Sequence, residues 1–142
     1  MMNGRGKFHM ALTIAERDVE GILVLDLDGR IVAGESAGAL RERTHKAAVA
    51  EKRNVVLNMR GVDYIDSSGL GTLVAAHSTL TNAGGGLALM NLSKRSAELL
   101  ILTKLATVFR IFDDEKSAVD SYFPHREVRK FDILDFVKKS AK

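Results

Sequence analysis

Residues Asn54 to Leu80 read NVVLNMRGVDYIDSSGLGTLVAAHSTL, and the fold turns on how this stretch is parsed. Val55, Val56, Leu57 and Met59 make a short apolar run bounded by Asn54 and Gly61, the pattern of a strand buried on both faces. A second extended piece, Val62 to Ile65, carries the chain to a turn. Beyond it Leu70, Leu73, Val74, His77 and Leu80 recur at helical spacing, which predicts a helix with one buried stripe. Asp66, Ser67 and Ser68 then fall at the N-cap and first turn, where side-chain oxygens satisfy amides that have no partner inside the helix. Capping alone accounts for an Asp and two Ser. It does not account for Gly69 and Gly71, each of which gives up about 1 kcal/mol relative to Ala in a helix interior. Such glycines make sense where something must approach the backbone closely.

Working outward, Ala11 to Glu16 alternates as a first strand, and Ile22 to Leu27 is a stronger one ending at the turn dipeptide Asp28-Gly29. From Glu35 or Ser36 to about Glu51 an amphipathic helix is expected, with Leu40, Thr44, Ala47, Ala48 and Val49 near helical spacing. Downstream, Asn82 to Gly86 ends the central helix; its glycine run lacks the Lys-Ser/Thr of a nucleotide-binding P-loop and reads as a helix-to-strand turn. Leu87 to Met90 is the next strand. Ser93 caps a helix carrying Ala97, Leu100, Ile101 and Leu105, Val108 to Phe112 is a last strand, and Asp114 to Tyr122 is a helix stopped by Pro124. The order predicts one α/β domain: a mixed sheet of about five strands, antiparallel at first and parallel afterwards, with helices mainly on one face. Residues 1–10 are a leading segment, 11–123 the domain, and 124–142 a basic, amphipathic helical extension.

Composition sets limits. A chain of 142 residues, 46% hydrophobic and 27% charged, has enough apolar material for a core and is not a disordered segment. There are no cysteines, which excludes disulfides, thiol catalysis and Cys-ligated zinc. No apolar run reaches the roughly 20 residues a spanning helix needs. The first residues lack the apolar core of a secretion signal, so a cytoplasmic location with no membrane partner is expected.

The net charge of +3 is unevenly distributed. From His125 onward six basic residues face Glu127, Asp132 and Asp135; removing these from totals of 21 and 18 leaves fifteen of each sign before them. The domain is neutral, so direct nucleic-acid binding is not expected of it. In the extension Ile133, Phe136 and Val137 share one side of a helix, with Phe131 and Leu134 at the margins. That side either docks on the domain or is offered to a partner or a membrane surface.

His9, His45, His77 and His125 show no metal-ligand spacing, and His77 belongs to the apolar stripe as a packed histidine. No cofactor or metal is expected. Ser67 lacks the G-x-S-x-G elbow of a hydrolase nucleophile, and no catalytic residue is assigned. One enzyme reading competes. Asp26-Leu27-Asp28-Gly29, behind an apolar strand, is similar to the opening of haloacid-dehalogenase-type phosphatases, with Asp26 as nucleophile and Asp28 as acid/base. Ser67, Lys94, Asp113 and Asp114 would complete that set, while Arg30 and the short chain speak against it.

The string L-N-M-x-x-V-x-Y-I-D-S-S-G-L-G-x-L closely resembles the signature of the STAS domain as found in bacterial anti-sigma factor antagonists. The resemblance extends more weakly from about Ala11 to Phe123, and the segment after Pro124 departs from the minimal domain. It implies a non-catalytic module in which Ser67 is the regulatory phosphoserine. Asp63, Asp66, Ser68, Gly69, Leu70 and Gly71 would form the interaction surface around it. It further implies an anti-sigma factor serine kinase that binds the unphosphorylated form and releases a sigma factor, and a serine phosphatase that resets the switch. A homodimer is compatible with it, as is a non-phosphorylated STAS scaffold or small-ligand binder.

Overall fold

The computed structural model describes residues 11–140. Strands β1 (Leu12–Val19) and β2 (Ile22–Ile31) form a hairpin across Glu20-Gly21, both with the positive φ that a tight two-residue turn favours. Helix α1 (Glu35–Val49) crosses over to β3 (Asn54–Ile65), and α2 (Ser67–Asn82) crosses to β4 (Gly86–Met90). Helix α3 (Lys94–Leu102) leads to β5 (Arg110–Phe112), after which α4 (Glu115–Asp120) and α5 (Ile133–Ser140) close the chain. The sheet runs β1-β2-β3-β4-β5, antiparallel between β1 and β2 and parallel thereafter, the mixed α/β arrangement expected.

Alternation along the central strands divides two cores. Leu25, Leu57 and Leu89 face the larger core under α1, α2 and α3, while Val24, Val56 and Ala88 face a smaller one completed by Ala118 and Val119 of α4. Buried on both faces, β3 and β4 read as apolar runs for that reason.

Four expectations change. The two extended pieces around Gly61 are one strand: the β2 pairing skips two residues of β3, so β3 bulges and stays paired to Ile65. Asp28-Gly29 is not a turn. The strand continues through it to Ile31, and Gly29, at φ +121°, sits where a Cβ would strike the Ala11 carbonyl oxygen. Helix α3 also ends at Leu102, leaving Leu105 beyond it, and β5 is only three residues long.

The extension docks. Ile133, Phe136 and Val137 pack on the larger core, and the rings of Phe131 and Phe136 lie 5.5 Å apart. Its arginines serve the same attachment: Arg126 pairs with Glu20 (2.7 Å) and Asp120 (2.8 Å), and Arg129 with Asp113 (2.8 Å) and Asp114 (2.7 Å). Part of the basic charge is therefore spent on the protein's own carboxylates. The leading segment 1–10 lies outside the described residues.

Candidate functional site

The β3–α2 junction is built by Asp66. As N-cap, its Oδ1 accepts the Gly69 amide at 2.7 Å, and its Oδ2 accepts the Ala33 amide at 3.0 Å. Its own amide donates to the Ile31 carbonyl at 3.2 Å. One residue thus joins the end of β3, the start of α2 and the loop before α1. The Ala33 amide first, and then that of Gly69, stabilise the ionised carboxylate and hold its pKa below the usual range.

Gly69 is explained from inside the molecule. A Cβ there would overlap the Ile31 carbonyl oxygen, so what approaches this backbone is the end of β2. Gly69 is buried, so whatever it gives to the expected interaction surface it gives by packing the junction and not by a contact of its own. Gly71 is exposed with open space around it, and Leu70 is half-buried. The fully buried stripe of α2 is accordingly Gly69, Thr72, Leu73, Ala76 and Leu80, with Val74 and His77 at its edge. His77 meets Phe109 edge-on at 5.7 Å.

Ser67 and Ser68 are the first two residues of α2, and both are exposed. Among the described residues no hydrogen bond engages the Ser67 hydroxyl. Ser68 is tied through its backbone, its carbonyl accepting from Thr72 Oγ1 (3.0 Å), which in turn accepts from Arg41 at 3.4 Å. Asp63 is exposed at the end of β3.

Ser67 stands at the rim of a groove of about 570 Å³ between this junction and α3. Tyr64, Leu70, Leu99 and Leu102 supply apolar wall, and Arg95 and Glu98 supply charge. Leu102 is 80% exposed and Tyr64 43%, so this is apolar surface that the described residues leave uncovered. Sequence reasoning missed the α3 half. The available signal was the spacing of Arg95, Glu98, Leu99 and Leu102, a second face of α3 offset from buried Ser96, Ala97 and Leu100.

The phosphatase set is not assembled. Asp26 lies mid-strand, not at a strand end, and is held by Arg17 (2.6 Å) and Asn58 (2.8 Å). Arg17 foremost, and also Asn58, lower its pKa against the opposing effect of burial. Asp28 is exposed beyond a bulge, Asp114 caps α4 through the Ser117 amide (2.7 Å), and Asp113 and Asp114 both pair with Arg129. Among the described residues no group of three or more His, Asp or Glu is placed to hold a metal ion. No helix among the described residues is long and apolar enough to cross a membrane.

The third strand of a mixed five-stranded sheet thus leads into a helix whose first two residues hold exposed hydroxyls beside an apolar groove. The STAS domain profile matches residues 13–118, and the chain belongs to the STAS domain family. It is 24% identical over 110 residues to the anti-sigma F factor antagonist of Paenibacillus polymyxa, covering 78% of this chain and 94% of that one. Its fold is similar to an anti-sigma factor antagonist of Mycobacterium paratuberculosis (TM-score 0.69, 21% identity, covering 78% of this chain and 93% of the other). It is also similar to the phosphorylated form of the Bacillus cell fate determinant SpoIIAA (TM-score 0.62, 19% identity, covering 77% and 98%).

Proposed function

We propose that this protein is an anti-sigma factor antagonist whose Ser67 is a phosphorylation switch. The observation that carries the reading is the unengaged, exposed Ser67 hydroxyl at the rim of an uncovered apolar groove. The similarity to anti-sigma factor antagonists, one of them a protein with a phosphorylated form, supports it. In the unphosphorylated state the groove and the first turn of α2 bind an anti-sigma factor that is also a serine kinase, and a sigma factor is released. These are cytoplasmic partners.

The switch needs no catalytic group from this chain, because kinase, ATP and magnesium supply the positioning and charge stabilisation of phosphoryl transfer. Ser67 Oγ bonds to the γ-phosphorus as the bridge to the β-phosphate breaks; ADP leaves and the hydroxyl proton passes to the kinase's base. A serine phosphatase reverses the mark with water, returning the hydroxyl and inorganic phosphate. The phosphate brings about −1.5 to −2 charges. A helix N-terminus tolerates that charge, so the fold survives. A partner that must desolvate it beside Asp63 and Asp66 does not bind, and a loss of about 2 kcal/mol is already about thirtyfold in affinity.

The test is calorimetric binding of wild type, Ser67→Ala and Ser67→Asp to the cognate anti-sigma kinase. Wild type and Ser67→Ala should bind alike and Ser67→Asp at least thirtyfold more weakly, by the same arithmetic. Equal affinity of the Asp form would end the switch account.

A further inference from the structure

Ser67 is the first residue of α2, Arg95 the second residue of α3, and both line the same groove. Arg95 is exposed and, among the described residues, pairs with no carboxylate. Four other arginines, Arg17, Arg43, Arg126 and Arg129, sit in ion pairs, and Arg95 is the arginine that lines this groove. Asp66, Arg95 and Glu98 are the charged side chains of the groove, and both Asp66 oxygens already accept backbone amides. A dianion placed on Ser67 therefore meets one cation across the groove. On the other flank of the same helical turn, Arg41 reaches from α1 to Thr72, on the side of Ser68.

We propose that Arg95 is an intramolecular receptor for the phosphate of modified Ser67, closing the groove from α2 to α3. The proposal rests on the reading that Ser67 is the modified residue and adds how the modified state is held. A guanidinium binds phosphate through two parallel N–H donors, and its long stem lies readily along an apolar wall. Here that wall is Leu99 and Leu102. The ion pair draws the phosphate over Leu70 and fills the space a partner side chain would use. Phosphorylation then acts twice: it adds charge that an acidic partner face repels, and it occupies the apolar surface from within. The competing carboxylate is Glu98, which limits the strength of the pair without supplying an alternative site.

The experiment is a phosphorus-31 NMR titration of the full chain with phosphoserine installed at position 67 during translation, so that no kinase is required. A neighbouring guanidinium favours the dianion, so the second phosphate pKa, about 6 when unperturbed, should lie lower by about half a unit. Arg95→Ala should restore it, Arg95→Lys should keep part of the depression, and Arg41→Ala should leave it unchanged. Both arginines are exposed, so none of these variants threatens the fold. Wild type and Arg95→Ala titrating together would overturn the proposal, as would a larger effect from Arg41→Ala. The two readings fail separately: absence of Ser67 phosphorylation in cells removes the switch, whereas this titration reports on Arg95 whatever the kinase does.

Discussion

Two four-residue strings share a pattern, Asp26-Leu27-Asp28-Gly29 and Asp66-Ser67-Ser68-Gly69, and only the second leaves hydroxyls exposed at the start of a helix. Their similarity is structural as well as literal. In each the glycine lies against a backbone carbonyl, Gly29 on Ala11 and Gly69 on Ile31, and that carbonyl accepts a nearby amide, from Arg30 (2.8 Å) and Asp66 (3.2 Å) respectively. What differs is the path of the backbone. After Asp26 the strand continues between β1 and β3, so Leu27 is buried and the carboxylate is taken by the Arg17 side chain. After Asp66 a helix begins, so the carboxylate caps amides and the two serines stand outside. Availability of a polar group is set by the next element of structure, not by the residue types around it.

The glycines offer the sharpest way to break this comparison. Gly29→Ala combines a φ reserved for glycine with a backbone clash, and should destabilise by about 3 kcal/mol or more. Gly69→Ala meets the same kind of clash at a helical φ/ψ and recovers about 1 kcal/mol of helix propensity, for a net loss of about 1–2 kcal/mol. Gly71→Ala, with nothing near it, should be neutral or gain up to about 1 kcal/mol. Urea unfolding reads all three. Equal stabilities for the Gly69 and Gly71 variants would show that the β2–α2 approach is not tight.

The binding side of the comparison is sharpened at Leu102, which is uncovered while its neighbour Leu100 is buried. Leu102→Ala should leave the unfolding midpoint unchanged and weaken binding to the anti-sigma partner about tenfold, equivalent to about 1.4 kcal/mol. Leu100→Ala should lower the midpoint, with about 2–5 kcal/mol lost to the cavity. A Leu102 variant that binds as wild type does would move the interface off α3.

Much of this was legible from local rules. Strand β3, the cap at Asp66 and the glycine at position 69 each follow from periodicity or helix-end chemistry, and they fixed the serine's address. What was not legible depends on non-local contact. Gly69 announces a close approach but not its source; Ile31 lies over thirty positions upstream. Asp28-Gly29 has turn residues, yet the bulges of β3 keep the strand paired through it, and a bulge is a property of two strands. The groove needs α3 beside α2, a matter of sheet order, so the spacing of Arg95 and Leu102 marked a second face of α3 without saying what lies opposite it. The extension's apolar side was plain and docking onto the domain was the first of its two readings; the surface it docks on was not legible.

The smallest effects separate the two aspartates by cause. Both carboxylates are held below their ordinary range, so each contributes stability that is present above the unfolded pKa near 4 and lost as pH falls through its lower folded value. For Asp26 the leading cause is a cation, Arg17; for Asp66 it is the fixed amides of Ala33 and Gly69. Salt acts on the first more than on the second, since the screening length falls to about 3 Å at 1 M while amide geometry is unaffected. Carboxyl NMR titrations in dilute buffer and in 1 M salt should therefore show the Asp26 pKa rising and the Asp66 pKa holding. Asp66→Asn should make acid unfolding shallower, because the amide keeps an acceptor oxygen but no longer titrates. Equal salt shifts at the two residues would mean that the guanidinium and the backbone amides act alike, and the contrast between the two strings would reduce to exposure alone.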